Sequence, residues 1–405
     1  MPSWRPLALI PVAIFVYFIV HLDLHIQVVK AFSQNDDARD MIPFSVEGET
    51  FNHLNDNAPR TYSRHIVAVG DLHGDYPSAS KVLQFSGVTN ENDDWAGGVD
   101  FFVQTGDIID RGDDTTLLFK LMDKLRAQAP HKGGTVLSHL GNHEWMNMIG
   151  DWRYVYPSEI ETFGTVENRQ EILSTGWLGR SWAANYTTAS RLPLHPSLGP
   201  ANTPYPPSSP GTFGSLSHSA ISFVHGGLSP TYHGLSPFPS YINSLSDSLL
   251  RKLQFRVQPK PHPPGPYVGL PAGTTPEEAE LYSSNGPLWY RGWATGTEEQ
   301  VCNDVEAVLE KTGTRRMIMG HTPDFENIKS RCGGKIIIID TGISRAYGGA
   351  LSALSIHYTL EPIGTADDPE EQQWEEREIV EALYADRKEL ISDDRREIAG
   401  DFHLR

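Results

Sequence analysis

Six times along this chain a short β-branched or aromatic run ends in a polar cluster that contains glycine. The runs are His65–Asp71 (HIVAVGD), Val99–Asp107 (VDFFVQTGD), Thr135–Glu144 (TVLSHLGNHE), Ala220–Gly227 (AISFVHGG), Arg315–Thr322 (RRMIMGHT) and Lys335–Gly342 (KIIIIDTG). Such runs, bounded by turn residues, read as buried strands followed by loops. Helical patterns lie between some of them. Thr297 and Gln300 form a capping box ahead of Val301, Val305, Val308 and Leu309, with Gly313 as the stop; Asp113 or Asp114 can cap a helix carrying Leu117, Leu118, Leu121, Met122 and Leu125. Strands alternating with helices predict a layered α/β domain. Two proline-dense stretches, Leu192–Gly211 and Val257–Pro276, are poor in backbone donors and read as surface insertions.

The ends of the chain read differently. Leu7–Val20 is an uninterrupted apolar run of 14 residues, shorter than the roughly 20 a membrane span needs. It reads as a signal anchor or a cleaved signal peptide over residues 1–32, with a buried N-terminal helix as the alternative. Either of the first two readings places the protein in the secretory pathway, secreted or as a single-pass membrane protein with a luminal or extracellular catalytic domain. In that setting Asn185-Tyr186-Thr187 is a candidate glycosylation site. A polar linker spans 33–60, the main domain 61–362, and an acidic tail 363–405. From Glu361 to Arg405 there are 15 acidic against 6 basic residues, about half of the whole chain's net charge of −18. Such a balance speaks against a phosphate-backbone binder, so no nucleic acid is expected as partner. Helical patches such as Trp374–Leu390 make the tail a solvated, loosely docked helix. The only cysteines, Cys302 and Cys332, exclude a disulfide framework and a thiolate zinc site. Cys302 opens the helix before the Arg315–Gly320 strand, and Cys332 just precedes the Lys335–Asp340 strand. In an oxidising lumen the two could pair, but if those strands run parallel the residues lie on opposite faces of the sheet, too far apart for a bridge.

The chemistry sits at the strand ends: Asp71 and His73, Asp107, Asn142 and His143, His225, and His321. Open α/β sheets place their sites in loops at the carboxyl ends of strands, so five strands deliver carboxylate, imidazole and amide groups to one crevice. Oxygen and nitrogen donors without thiolate suit manganese, iron or zinc, and a carboxylate can bridge two ions that clamp a phosphate. Asp71 and His73 can face one ion, and Asp107 is placed to bridge.

Gly70-Asp71-Leu72-His73-Gly74, Gly106–Gly112 (GDIIDRG) and Gly141-Asn142-His143-Glu144 resemble the three signature blocks of the calcineurin-like metallophosphoesterases, in their phosphoprotein phosphatase branch. His225-Gly226-Gly227 and Gly320-His321-Thr322 resemble the later metal-histidine blocks, and the order is kept from about Tyr62 to Leu360. The resemblance implies a layered β-sandwich of mixed sheets flanked by helices. It also implies a first metal held by Asp71, His73 and Asp107, and a second by Asp107, Asn142, His225 and His321. His143 then matches the proton donor to the leaving oxygen, Asp110 the carboxylate that orients it, and Arg111 the guanidinium that grips phosphate; Arg291 matches a second phosphate-holding arginine. Pro323 stands where many superfamily members carry a second histidine. Asp340–Gly349 (DTGISRAYGG) and Leu288–Arg291 (LWYR) resemble the Shewanella-like branch, which implies that phosphotyrosine is accepted as well as phosphoserine or phosphothreonine. Tyr347 reads as a wall of the phosphate pocket or as a structural tyrosine after a glycine-rich turn. The expected activity is a dimetal-dependent phosphomonoesterase with a metal-bridging hydroxide nucleophile and a histidine general acid. Its cofactors are two divalent ions, manganese first and iron or zinc as alternatives; its substrates are phosphorylated proteins or small phosphomonoesters. A dinucleoside polyphosphate hydrolase and a non-catalytic luminal binding protein are the alternatives.

Overall fold

The computed structural model describes residues 60–208, 211, 214–258 and 268–403. All six apolar runs form strands. Tyr62–Val69 (β1), Phe101–Gln104 (β2) and Thr135–His139 (β3) pair in parallel, so their carboxyl ends share one edge. Helices Tyr76–Phe85 (α1) and Thr115–Gln128 (α2) connect them, and Asn142–Ile149 (α3) follows β3. After the short helices Pro157–Phe163 (α4), Val166–Ser174 (α5) and Trp177–Asn185 (α6), Tyr186–Thr187 (β4) adds to the outer side of β3.

A second sheet holds Ala189–Pro193 (β5), Ala220–Val224 (β6), Arg316–Met319 (β7), Lys329–Arg331 (β8) and Ile336–Ile338 (β9), in the order β5-β6-β7-β9-β8. Here β6, β7 and β9 are parallel. Ser240–Phe255 (α7), Pro276–Leu281 (α8), Gly292–Thr295 (α9) and Glu298–Thr312 (α10) lie between β6 and β7 in the chain. Thr297 caps α10 by accepting the Gln300 N–H at 3.3 Å, and Gly313 ends it with φ +61°, as the sequence predicts.

Strand side chains alternate between two apolar clusters, the period-2 signature of a sheet covered on both faces. Ile66 and Ala68 of β1 and Val103 of β2 meet Ile221 and Phe223 of β6, Ile318 of β7 and Ile337 of β9, forming the layer between the sheets. Their neighbours Val67, Val69, Phe102, Val224, Met317 and Met319 belong to the cluster shared with the flanking helices. Two mixed sheets flanked by helices are the architecture the sequence implies.

Three expectations are corrected. The segment read as a solvated helical tail is β-structure: Ser352–Ile363 (β10), Gln373–Tyr384 (β11) and Lys388–Ala399 (β12) pair antiparallel and complete a seven-stranded sheet, β12-β11-β10-β1-β2-β3-β4. Its alternation is disguised because two inward positions carry carboxylates. Trp374, Glu376, Glu378, Val380 and Ala382 of β11 are all buried. Glu376 accepts from Arg315 at 2.6 Å and from the Tyr358 hydroxyl at 3.0 Å, and Glu378 accepts from Arg315 at 2.9 Å and from Arg316. The two carboxylates that this strand buries are thereby matched by arginines.

The proline-dense Leu192–Gly211 stretch is not confined to the surface. Leu192, Leu194 and Leu198 are fully buried between the sheets, and the Leu194 N–H donates to Ser219 O at 2.8 Å. Proline has no N–H to leave unpaired, so such a segment can enter a core at little hydrogen-bonding cost. The Val257–Pro276 stretch lies partly outside the described residues, as do residues 1–59 with the apolar run and most of the linker.

Cys302 and Cys332 form a disulfide, with Cα atoms 5.3 Å apart. Strands β7 and β9 are parallel as expected, but the chain forms β8 between them. Cys332 sits in the β8–β9 turn, which folds onto the start of α10: Arg331 bonds Glu298 at 2.7 Å and the carbonyls of Trp293 and Gly296, and the Cys332 N–H donates to Glu298 at 2.8 Å.

Two outcomes are expected. Glu378→Ala removes the buried carboxylate that both Arg315 and Arg316 donate to, leaving Arg316 only the exposed Asp394 and the Gly334 carbonyl, and should destabilise the protein by about 3–5 kcal/mol, read from urea unfolding; a change below about 1 kcal/mol would contradict the buried ion-pair network. The unreduced, denatured protein should titrate no free thiol, and Cys302→Ser/Cys332→Ser should lose about 2–4 kcal/mol for a closed loop of this length.

Candidate active site

The parallel strands bring their polar ends together from both sheets. Glycine next to the carboxylates is required by closeness: a Cβ on Gly141 would lie 2.2 Å from Asp107 Oδ1, and one on Gly320 2.3 Å from Asp71 Oδ1. The backbone is also bent into the left-handed region at His73, Asp107, Asp110, Arg111 and His321, five of the eight non-glycine residues with positive φ among the described residues. Strain of this kind persists only where surroundings over-determine it, and it collects at functional loops.

Asp107 is the centre. Its Oδ2 lies 3.3 Å from His225 Nε2 and 3.8 Å from both His73 Nε2 and His143 Nε2, and its Oδ1 accepts the His143 N–H at 2.8 Å. His73 Nδ1 faces Ile109 O at 3.0 Å and His225 Nδ1 faces Thr105 O at 2.9 Å. A carbonyl only accepts, so each ring carries its proton on Nδ1 and turns the Nε2 lone pair inward. Asp71 accepts the His321 N–H at 3.2 Å, and its Oδ2 is 4.0 Å from His73 Nε2.

These donors fit divalent metal. Asp107, His225 and His321 offer ligand atoms within 4.8 Å of one another, as do His73, Asp107 and His143. His321 Nε2 is buried without a hydrogen-bond partner among the described residues. His225 Nε2 and Asn142 Oδ1 stand 2.8 Å apart, two acceptors facing one another where a cation would satisfy both. Burial, with the Asp340 and Asp107 carboxylates beside it, pushes Asp71 well above the usual carboxylate range; burial and then Asp107 raise Asp340 to about 6. Burial and then His143 hold His73 down to about 3, so its lone pair is available.

His143 differs from the other imidazoles. Its Nδ1 is 2.7 Å from Asp110 Oδ2. Burial alone would favour the neutral ring, yet the Asp107 and Asp110 carboxylates outweigh it and raise the pKa. A protonated ring has no lone pair to give a metal; it has a proton on Nε2 to donate.

Arg111, Arg291, Tyr154, Trp289 and Tyr347 line the same cavity as Asp71, His73, Asp107, Asn142, His143 and His321. Arg111 stacks between Tyr154, at 4.2 Å, and Tyr347, at 4.9 Å, which makes Tyr347 a wall of this cavity. Arg291 is exposed at the rim and donates to His321 O and Thr322 Oγ1, both at 2.9 Å. Every site residue read from the sequence therefore converges here, with His225 and Asp110 buried just behind the cavity wall.

Sequence reasoning missed the supports. Glu144 accepts the N–H groups of Asp107, Ile108, Ile109 and Gly141 at 2.7–3.3 Å, while burial and the nearby Asp107 raise it to about 7. Asn147 donates to Asp110 at 2.9 Å. Asp340 ends β9 beside Asp71. Glu144 lies in the same short block as Asn142 and His143, and Asp340 ends the apolar Lys335–Asp340 run and opens the Asp340–Gly349 block, positions that mark both; Asn147 bears no such mark.

Residues 64–325 match the calcineurin-like phosphoesterase family model. The chain belongs to that family. It is accordingly a metal-dependent phosphoester hydrolase; the family works with two metal ions, and the His/Asp groups here could hold them. An uncharacterized protein of Schizosaccharomyces pombe, C1840.07c, is 35% identical over 73% of this chain and 78% of its own. Shewanella-like protein phosphatase 1 of Plasmodium berghei is 28% identical over 69% and 67%. A crystal structure of a cold-active protein tyrosine phosphatase from a psychrophilic Shewanella shares the fold, with a TM-score of 0.55 and 21% identity over 81% of this chain and 80% of that one.

With metal removed by chelation, Asp340 is charged above pH 6 in the folded protein at a cost that its ordinary pKa of 3.8 spares the unfolded chain. Stability from this group is present at low pH and lost as pH rises through about 6. Asp340→Asn should therefore raise the melting temperature of metal-free protein at pH 7 and do much less at pH 4; equal effects at both would show that the carboxylates do not crowd.

Proposed function

We propose that the chain is a dimetal phosphomonoesterase that removes phosphate from phosphorylated proteins. The observation that carries this is the His143–Asp110 pair at 2.7 Å, facing the same cavity as the inward lone pairs of the histidines and as Arg111. Asp71, His73 and Asp107 would hold one ion, and Asp107, Asn142, His225 and His321 the other, with manganese first and iron or zinc as alternatives. When bound, the ions supply positive charge to the phosphoryl oxygens and activate the attacking water.

The side chains do the rest. Arg111, its faces covered by two tyrosines, presents its edge to two phosphate oxygens, a forked contact that lysine cannot make. Arg291, exposed at the rim of the same cavity, offers a second guanidinium to the phosphate. His143 Nε2 gives its proton to the departing oxygen as the P–O bond breaks, and Asp110 keeps Nδ1–H in place through that step. The aromatic walls Tyr154, Trp289 and Tyr347 suit a phosphotyrosine ring as well as a smaller phosphorylated side chain. The names of the relatives, a Shewanella-like protein phosphatase and a protein tyrosine phosphatase, support the choice of substrate.

The proposed location is the secretory pathway. The Cys302–Cys332 disulfide supports an oxidising compartment, and Asn185 is exposed at the end of α6, where a glycan would be accommodated.

The test is a reconstitution with manganese, iron or zinc, assayed on phosphotyrosine, phosphoserine and phosphothreonine peptides and on diadenosine tetraphosphate. Phosphopeptide hydrolysis is expected, reduced by a factor of about 10²–10⁴ in His143→Ala with the fold retained by circular dichroism. Asp107→Asn should also lose metal. Hydrolysis of the dinucleotide alone would assign the dinucleoside polyphosphate activity instead, and no hydrolysis with any metal would mark a non-catalytic binding protein.

A further inference from the structure

Behind the His143–Asp110 pair lies a buried arginine from a different part of the chain. Arg169, on α5, is wholly buried. Its Nη2 lies 3.1 Å and 3.3 Å from the two Glu159 oxygens and 3.6 Å from Asp110 Oδ1. The guanidinium is laid over Trp152 at 4.5 Å and Phe163 at 5.4 Å. Glu159, on α4 and also buried, is fixed in turn by the Thr115 hydroxyl at 2.7 Å. The two oxygens of Asp110 are thus divided: Oδ2 takes His143 Nδ1, and Oδ1 faces Asn147 Nδ2 at 2.9 Å and Arg169.

Stability alone is a poor reason for this arrangement. A buried ion pair replaced by apolar groups of similar volume is often neutral or stabilising, so a charged cluster kept at zero exposure calls for another role. Orientation supplies one. A carboxylate held at one oxygen can turn about its Cβ–Cγ bond; one held at both cannot, and Asp110 stands on a left-handed backbone with φ +71° that needs such support. Helices α4, α5 and α6 supply none of the residues that line the cavity, and Arg169 of α5 brings a charge from them to within 3.6 Å of Asp110.

We propose that Arg169, braced by Glu159, is a positioning residue that fixes the plane of Asp110 and, through it, aims His143 Nε2 at the leaving oxygen. This rests on the reading of His143 as proton donor. The consequence is specific: loss of aim harms esters whose leaving group needs a proton and spares those whose leaving group does not.

The full chain and its Arg169→Lys variant, loaded with the same metal, are compared on 4-nitrophenyl phosphate, which releases an acidic phenol, and on benzyl phosphate, which releases an alkoxide. Lysine keeps the charge but not the planar guanidinium stacked on Trp152 and Phe163. A positioned acid is worth about 10²–10⁴, so kcat on benzyl phosphate should fall about tenfold or more while kcat on 4-nitrophenyl phosphate changes less than about threefold. KM and metal content should be unchanged. Equal losses on both esters, or no loss, would overturn the proposal. Should the lysine variant not fold, Arg169→Met/Glu159→Gln removes the buried charges together and carries the same comparison. His143→Ala, run in parallel, separates the two levels. An equal loss on both esters there removes the acid role and the proposal with it; a selective loss there with none in Arg169→Lys removes the positioning role alone.

Discussion

The site depends on one carboxylate that never touches the cavity. Glu144 gathers four backbone N–H groups, from Asp107, Ile108, Ile109 and Gly141, onto two oxygens. Those donors belong to the loops after β2 and β3, so a single side chain locks the two loops together. It also holds Asp107 in a left-handed conformation, φ +55°, that an aspartate would otherwise leave. In a buried setting the loss of this acceptor would leave several backbone donors unpaired at once. Because Asp107 is the group that the histidines from both sheets approach, its placement sets the geometry of everything around it.

Charge is the second constraint. Asp71, Asp107 and Asp340 are buried side by side, and the imidazoles facing them are turned so that lone pairs, not protons, point inward. A protein does not gather acceptors in this way without positive charge to answer them. The same logic separates His143 from its neighbours: its Nδ1 faces a carboxylate where those of His73 and His225 face carbonyls, and the Asp107 and Asp110 carboxylates push it toward the charged form. The net −18 of the chain is a misleading guide to this interior. Glu376, Glu378, Asp393 and Asp394 of the acidic terminal segment are paired with arginines, and the cavity itself is flanked by Arg111 and Arg291.

The parts of the fold that escaped sequence reading share a physical cause. Strand β11 alternates as a strand should, but its inward Glu376 and Glu378 look like surface residues until Arg315, Arg316 and Arg396 come across from elsewhere. Leu194 and Leu198 look like loop residues until the second sheet covers them. The disulfide was misjudged because β8, three residues long, leaves almost no pattern. In each case the missing partner lies tens or hundreds of residues away, beyond the reach of any local periodicity.

What the sequence determined by itself were the six central strands, the layered α/β class and the ten residues that meet at the cavity. Short apolar runs with glycine-bearing ends encode both the strand and the chemistry that follows it, so position along the chain already implies position at the sheet edge. Only the tertiary structure decided which groups hold those ten in place: Glu144 under Asp107, Asn147 and Arg169 behind Asp110, Tyr154 and Tyr347 around Arg111, and the terminal hairpin that closes the sheet. Supports of this kind carry no reactive signature. They are ordinary side chains made important by distance and burial, which exist only once the chain has folded.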